Sequence, residues 1–174
     1  NGRGRAYLQL TKPYAAVRDF TRAVNADARF ASGYRNRAEA KLEVEQYDEA
    51  IEDLSRAIAF DPNNAEIHVV RGQAYMATKN AAAAIKDFAR AIELDPKLVA
   101  AYQLRGLANG SLDAYEEGFA DLNLAIELDP RSAVAFAYRA VLYKRSNQID
   151  IGQKDVQTAM KLDESKAEVW WAKG

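Results

Sequence analysis

The chain has no cysteine among its 174 residues, one histidine and only four prolines. Without Cys there are no disulfides and no thiolate metal sites, and the single His68 cannot build a conventional zinc centre. Charge of one sign is also missing: 24 Lys and Arg stand against 25 Asp and Glu, a net of -1. Bulk electrostatics therefore supplies no pull toward nucleic acid or an anionic membrane. No apolar run approaches the roughly 18 residues that a membrane span needs. HExxH, a P-loop and a nucleophile elbow are absent, and the two glycines of "GRGRAY" follow no strand signal. The expectation is a protein with no metal, no cofactor and no chemistry of its own.

What the chain does have is a folded, soluble composition, 49% hydrophobic and 28% charged, and repetition. Three of its four prolines close one recurrent phrase: "EDLSRAIAFDP" at 52–62, "KDFARAIELDP" at 86–96 and "ADLNLAIELDP" at 120–130. Asp61, Asp95 and Asp129 are spaced by 34, and the same step outward reaches Asp27 and Asp163, where Ala28 and Glu164 replace Pro. A fixed period of this size belongs to arrays whose units bury their apolar faces on each other. Within 65–98, Ile67, Val70, Ala74 and Met76 fall at helical spacing, and Ala84, Ile85, Phe88, Ala91, Ile92 and Leu94 do so again after the polar turn "TKN". Asp followed by Pro ends one helix and opens the next. The fold expected is all-α, two antiparallel helices per unit and no strand.

On these residues the sequence resembles the tetratricopeptide repeat family, whose pattern is W-x2-L-G-x2-Y, then A, F, A and P over 34 residues. The unit 65–98 carries it as His68, Arg71, Gly72, Tyr75, Ala84, Phe88, Ala91 and Pro96. The units 31–64 and 99–132 carry it with Tyr34, Ala38 and Leu54, and with Tyr102, Gly106 and Leu122. The unit 133–166 is looser, with Phe136, Ala140 and Val156, and partial units occupy 1–30 and 167–174. The resemblance implies one array, a right-handed superhelical solenoid of helix pairs. Gly72, Gly106, Ala38 and Ala140 are expected where backbones approach closely, and Phe88, Leu54, Leu122 and Phe20 are expected to fill the adjacent holes.

Where the family pattern has an apolar Leu, this chain has Arg3, Arg37, Arg71, Arg105 and Arg139; sixteen residues on from each stands Asp19, Asp53, Asp87, Asp121 or Asp155. A ligand site is normally made once, whereas a scaffold contact is made in every unit. The expectation is an ion-pair ladder between the two helices of each unit. His68 is expected to pack in the slot of a bulky aromatic, and the acid-rich stretch 39–53, interrupted by Lys41, to be a solvated face.

Tetratricopeptide arrays bind protein segments along the first helices of their units, and the resemblance carries that expectation over to a groove. Its lining would include Arg35 in the second unit, Val69, Val70 and Gln73 in the third, and Leu104 and Leu107 in the fourth; Tyr138, Val141, Lys144 and Arg145 would follow in the fifth. This is polar first, apolar in the middle and basic at one edge, suited to a peptide with aliphatic anchors and an acidic neighbour. The carboxylate clamp of the chaperone-tail binders has no counterpart, because the corresponding positions read Arg35 with Glu39, then Val70, then Ala100 with Leu104. RNA-reading pentatricopeptides have a longer period and are not matched. The leading expectation is a protein-binding scaffold. The alternatives are the regulatory or substrate-docking part of a larger enzyme, since the chain opens and closes inside a repeat, and self-association through Trp170 and Trp171. That same framing leaves localisation, and a signal peptide on any parent protein, unread.

Overall fold

The computed structural model describes residues 12–163. Arg3, Trp170 and Trp171, and with them the first rung of the expected ladder and the proposed self-association surface, lie outside the described residues. Those residues fall into two compact units divided between Leu94 and Asp95.

The first unit holds α1 (Pro13–Ala26), α2 (Ala31–Leu42), α3 (Tyr47–Phe60), α4 (Ala65–Ala77) and α5 (Ala81–Leu94). The second holds α6 (Val99–Ser111), α7 (Tyr115–Leu128), α8 (Ala133–Arg145) and α9 (Ile149–Leu162). Among the described residues there is no strand. The helices α2, α4, α6 and α8 begin at a constant step of 34 residues. Each packs antiparallel on the helix that follows it.

Two sequence signals punctuate the chain. After the second helices, Asp27, Asp95 and Asp129 each accept the backbone N–H two residues on with Oδ1, at 3.0, 3.0 and 3.1 Å. This local turn is why Asp recurs there. The copy at Asp61 differs, because its Oδ2 instead accepts from Asn64 Nδ2 at 2.9 Å. After the first helices, Glu45, Lys79, Asp113 and Asn147 adopt φ of 60–61°. The next residue then donates back across the turn, as Asn80 N does to Tyr75 O at 2.8 Å, which satisfies carbonyls the helix end leaves open.

The core is small residues facing large ones. In the first unit Leu54 and Ile67 are buried with Tyr34, Ala38, Ala50 and Ala57. Gly72 faces Phe88 so closely that an added Cβ would stand 2.4 Å from the ring. In the second unit Leu122, Tyr138 and Leu142 are buried together, and Gly106 leaves room for Leu122 and for the Gly118 carbonyl. Ala91 and Ala125 are fully buried.

Candidate functional site

Each complete helix pair carries one guanidinium–carboxylate fork. Arg37 Nε and Nη2 donate to Asp53 Oδ2 and Oδ1 at 2.7 and 2.6 Å. Arg71 meets Asp87 in the same way at 2.8 and 2.7 Å. In the second unit Arg105 meets Asp121 at 2.9 and 2.6 Å, and Arg139 meets Asp155 at 2.6 and 2.8 Å. All four aspartates are buried. Hydrogen bonds to them hold Arg37, Arg71, Arg105 and Arg139 above the usual guanidinium range, against the opposing effect of burial. Charge this deep survives only with good bidentate geometry, and each fork supplies it.

The forks have further partners that the spacing of Arg and Asp alone does not reveal. The third guanidinium nitrogen, Nη1, reaches the second helix of the preceding pair: Arg37 to Thr21 Oγ1 at 3.4 Å, Arg71 to Ser55 Oγ at 3.1 Å, Arg139 to Asn123 Oδ1 at 2.6 Å. Each acceptor sits two residues after that helix's own Asp, so Thr21, Ser55 and Asn123 form a periodic signal that the sequence does contain. Asn109 Nδ2 also donates to Asp121, at 3.4 Å. Lys41 corrects the reading of 39–53 as a solvated face: it is buried, with Nζ 2.9 Å from Asp53 Oδ2 and 3.4 Å from the Glu49 carbonyl oxygen.

His68 is buried too, and does more than pack. Its Nδ1 lies 3.4 Å from Asp87 Oδ1 and its Nε2 lies 3.4 Å from the Pro62 carbonyl oxygen. In the equivalent slots Tyr34, Tyr102 and Phe136 lie beneath Arg37, Arg105 and Arg139, with the guanidinium carbon 5.5, 5.9 and 5.5 Å from the ring centroid. Among the described residues no buried side-chain nitrogen or oxygen lacks a partner, and no cluster of His, Asp and Glu could hold a metal ion.

The first-helix surfaces differ between the units. In the first unit Arg35 donates to Glu39 Oε1 at 2.9 Å and to Glu66 Oε2 at 2.7 Å, so two carboxylates already hold it. Gln73 is exposed, Val69 is buried, and Val70 is half-buried against the Leu54 cluster. In the second unit Leu104, Leu107 and Val134 are half-buried and pack around Tyr138 and Leu142. Tyr138 and Val141 are themselves buried, and burial pushes the Tyr138 phenol up. At the end of α8 Lys144 is half-buried and Arg145 exposed, with Arg145 Nη1 3.4 Å from the Gly110 carbonyl oxygen. Thus Val69, Tyr138 and Val141 offer a ligand little surface, while Leu104, Leu107, Gln73 and Arg145 remain accessible.

Antiparallel helix pairs at a 34-residue step, each closed by a buried fork, define a helical-repeat protein. The chain belongs to the tetratricopeptide repeat family, whose models match residues 40–79 as a TPR repeat and 65–98 and 99–132 as tetratricopeptide repeats. No curated protein sequence matches the chain. Solved structures of the same fold include a crystal structure of MamA, 22% identical, covering 95% of this chain and 96% of that one with a TM-score of 0.80. MamA 41-end from Desulfovibrio magneticus RS-1 is 18% identical over 95% and 93%, with a TM-score of 0.82. YrrB, described as a TPR protein with an unusual peptide-binding site, is 18% identical over 98% and 88%, with a TM-score of 0.74.

Proposed function

We propose that the chain is a non-catalytic scaffold that binds a peptide or protein segment along its first helices. One observation carries the reading: Leu104 and Leu107, on the first helix α6, stay half-open beside Val134 of the next first helix, α8, where they pack around Tyr138 and Leu142. Accessible aliphatic side chains grouped on one helix face and flanked by cations fit a segment with apolar anchors and an acidic residue. Arg145 stands exposed at the end of α8 to meet that acid, whereas Arg35 is occupied by Glu39 and Glu66. The peptide-binding site named for YrrB supports the same use of the fold. Among the described residues no cluster of His, Asp and Glu could hold a metal ion.

The test is selection from a random peptide library, followed by mapping of the winners through amide chemical shifts. Winners are expected to pair aliphatic residues with an acid and to shift Leu104, Leu107, Val134 and Arg145. Leu104→Glu should weaken them about tenfold or more, ~1.4 kcal/mol. Winners that leave these amides still, or bind Leu104→Glu equally well, would remove the proposal.

A further inference from the structure

Every described repeat solves one recognition problem internally: a guanidinium is held by a carboxylate fork, and in three of the four an aromatic ring fills the His68 slot beneath it. Arg105 over Tyr102 with Asp121, and Arg139 over Phe136 with Asp155, are two instances in the second unit. The same chemical set is assembled once more at the turn end of that unit, with no guanidinium in it. An open pocket of about 520 Å³ lies there, lined by Asp113, Tyr115, Glu116, Glu117, Phe119 and Gln148 among others. That volume falls within the range of small-ligand sites.

The pocket has a firm aromatic wall. The Phe119 and Tyr143 rings meet at a tilt of 36° with centroids 4.5 Å apart, and the Tyr115 hydroxyl donates to Asp113 Oδ1 at 2.6 Å, which fixes the ring. Glu116 and Glu117 open α7, are exposed, and form no ion pair within the described residues. Arg145 is the nearby cation, but its backbone oxygen faces Tyr115 at 3.5 Å and its Nη1 is directed to Gly110 O. Carboxylates alone would be a solvated rim. Carboxylates around a hollow walled by aromatic rings select a flat cation, which can stack on a ring and donate to oxygens together.

We propose that this pocket binds an arginine side chain presented by a partner protein. Its lining does not include Leu104 or Leu107, although its Tyr115 and Phe119 pack on the same Leu122 cluster; it is a second contact point for the scaffold's partner and rests on the binding reading only in that a partner supplies the arginine. Arginine is favoured over lysine because a planar, weakly hydrated guanidinium can lie flat on a ring while its N–H groups fork to carboxylates, whereas a compact, strongly hydrated ammonium cannot do both.

The experiment is an amide chemical-shift titration of the full chain with N-acetylarginine amide and with its neutral isostere, N-acetylcitrulline amide. The arginine compound should shift Tyr115, Glu116, Glu117, Phe119 and Gln148 while Leu104 and Leu107 stay still, and its effect should shrink as salt is raised. The citrulline compound should leave all of them unmoved. The exposed double variant Glu116→Gln, Glu117→Gln should keep its helical circular dichroism and lose about tenfold in affinity. Equal shifts from both compounds, shifts confined to other residues, or undiminished binding by the double variant would overturn the proposal. None of those results bears on peptides anchored at Leu104.

Discussion

Arg71 and Asp87 meet fork to fork, Nε to Oδ2 at 2.8 Å and Nη2 to Oδ1 at 2.7 Å, while Arg71 Nη1 reaches Ser55 at 3.1 Å. One side chain thereby joins α3, α4 and α5. Removing the carboxylate strands a guanidinium that is only 21% exposed. Asp87→Ala should therefore cost about 3 kcal/mol in urea unfolding. Adding Arg71→Met to that variant should recover much of the loss, because an apolar pair needs no partner. An Asp87→Ala chain with the parent's urea midpoint would show that the fork is not structural.

Acid should expose the same contact. Burial pushes the Asp87 carboxyl up, but hydrogen bonds from Arg71 and His68, with their charges, outweigh it and leave its pKa below the usual value. A carboxyl lowered in the folded state contributes stability that is fully present above its unfolded pKa, about 4. That contribution is lost as pH falls through the folded value. The parent should lose more stability than Asp87→Asn between neutral pH and the acid side of pH ~4. Urea midpoints at each pH read this directly, and parallel losses would contradict it.

The rungs are not equivalent, and their difference is measurable. Asp53 holds two cations, Arg37 and Lys41, whereas Asp121 holds Arg105 and the neutral Asn109. Asp53→Ala strands the Arg37 guanidinium and leaves Lys41 only the longer contact to Glu49 at 3.4 Å, so it should cost more than Asp121→Ala, by about 1 kcal/mol or more. Lys41→Met keeps the Arg37 fork and should be close to neutral. Equal costs for the two alanine variants would show that Glu49 alone suffices for Lys41.

Much of this architecture is legible in the sequence because it is written several times. The 34-residue recurrence of Asp61, Asp95 and Asp129 exposes helix starts, and the constant step from Arg37, Arg71, Arg105 and Arg139 to an acid exposes a contact between helices. Features made once are harder to read. Lys41 stands among acids, and its burial depends on where Asp53 lies in space rather than on its neighbours in sequence. His68 replaces a ring that elsewhere lies under an arginine, and nothing local signals that it turns to Asp87. The first-helix surface divides along the same line: Leu104 and Val69 are both apolar at groove positions, yet neighbours cover Val69 and leave Leu104 half-open.

Close approach sets a further test. An alanine at Gly72 would place Cβ 2.4 Å from Phe88 Cε1 and 2.8 Å from Cδ1, in a ring that is fully buried. The ring cannot retreat without moving the helix pair, so Gly72→Ala should cost about 1–3 kcal/mol. Shortening the partner in the double variant Gly72→Ala, Phe88→Leu should return part of it. A thermal midpoint for Gly72→Ala equal to the parent's would mean that α4 and α5 can part at little cost.

The turns within the repeats store strain that substitution can release. Glu45, Lys79, Asp113 and Asn147 share a left-handed backbone, a conformation that costs a side-chain-bearing residue roughly 1–2 kcal/mol. Glycine avoids the clash but loses more conformational freedom on folding, roughly 0.5–1 kcal/mol. The balance favours glycine at Lys79, whose side chain is exposed and makes no hydrogen bond or ion pair within the described residues. Lys79→Gly should stabilise the chain by about 0.5–1 kcal/mol. Asparagine tolerates this conformation better than lysine does, so Asn147→Gly should gain less. Urea midpoints for the two variants give the order, and a larger gain at Asn147 would show that something other than backbone strain governs these turns.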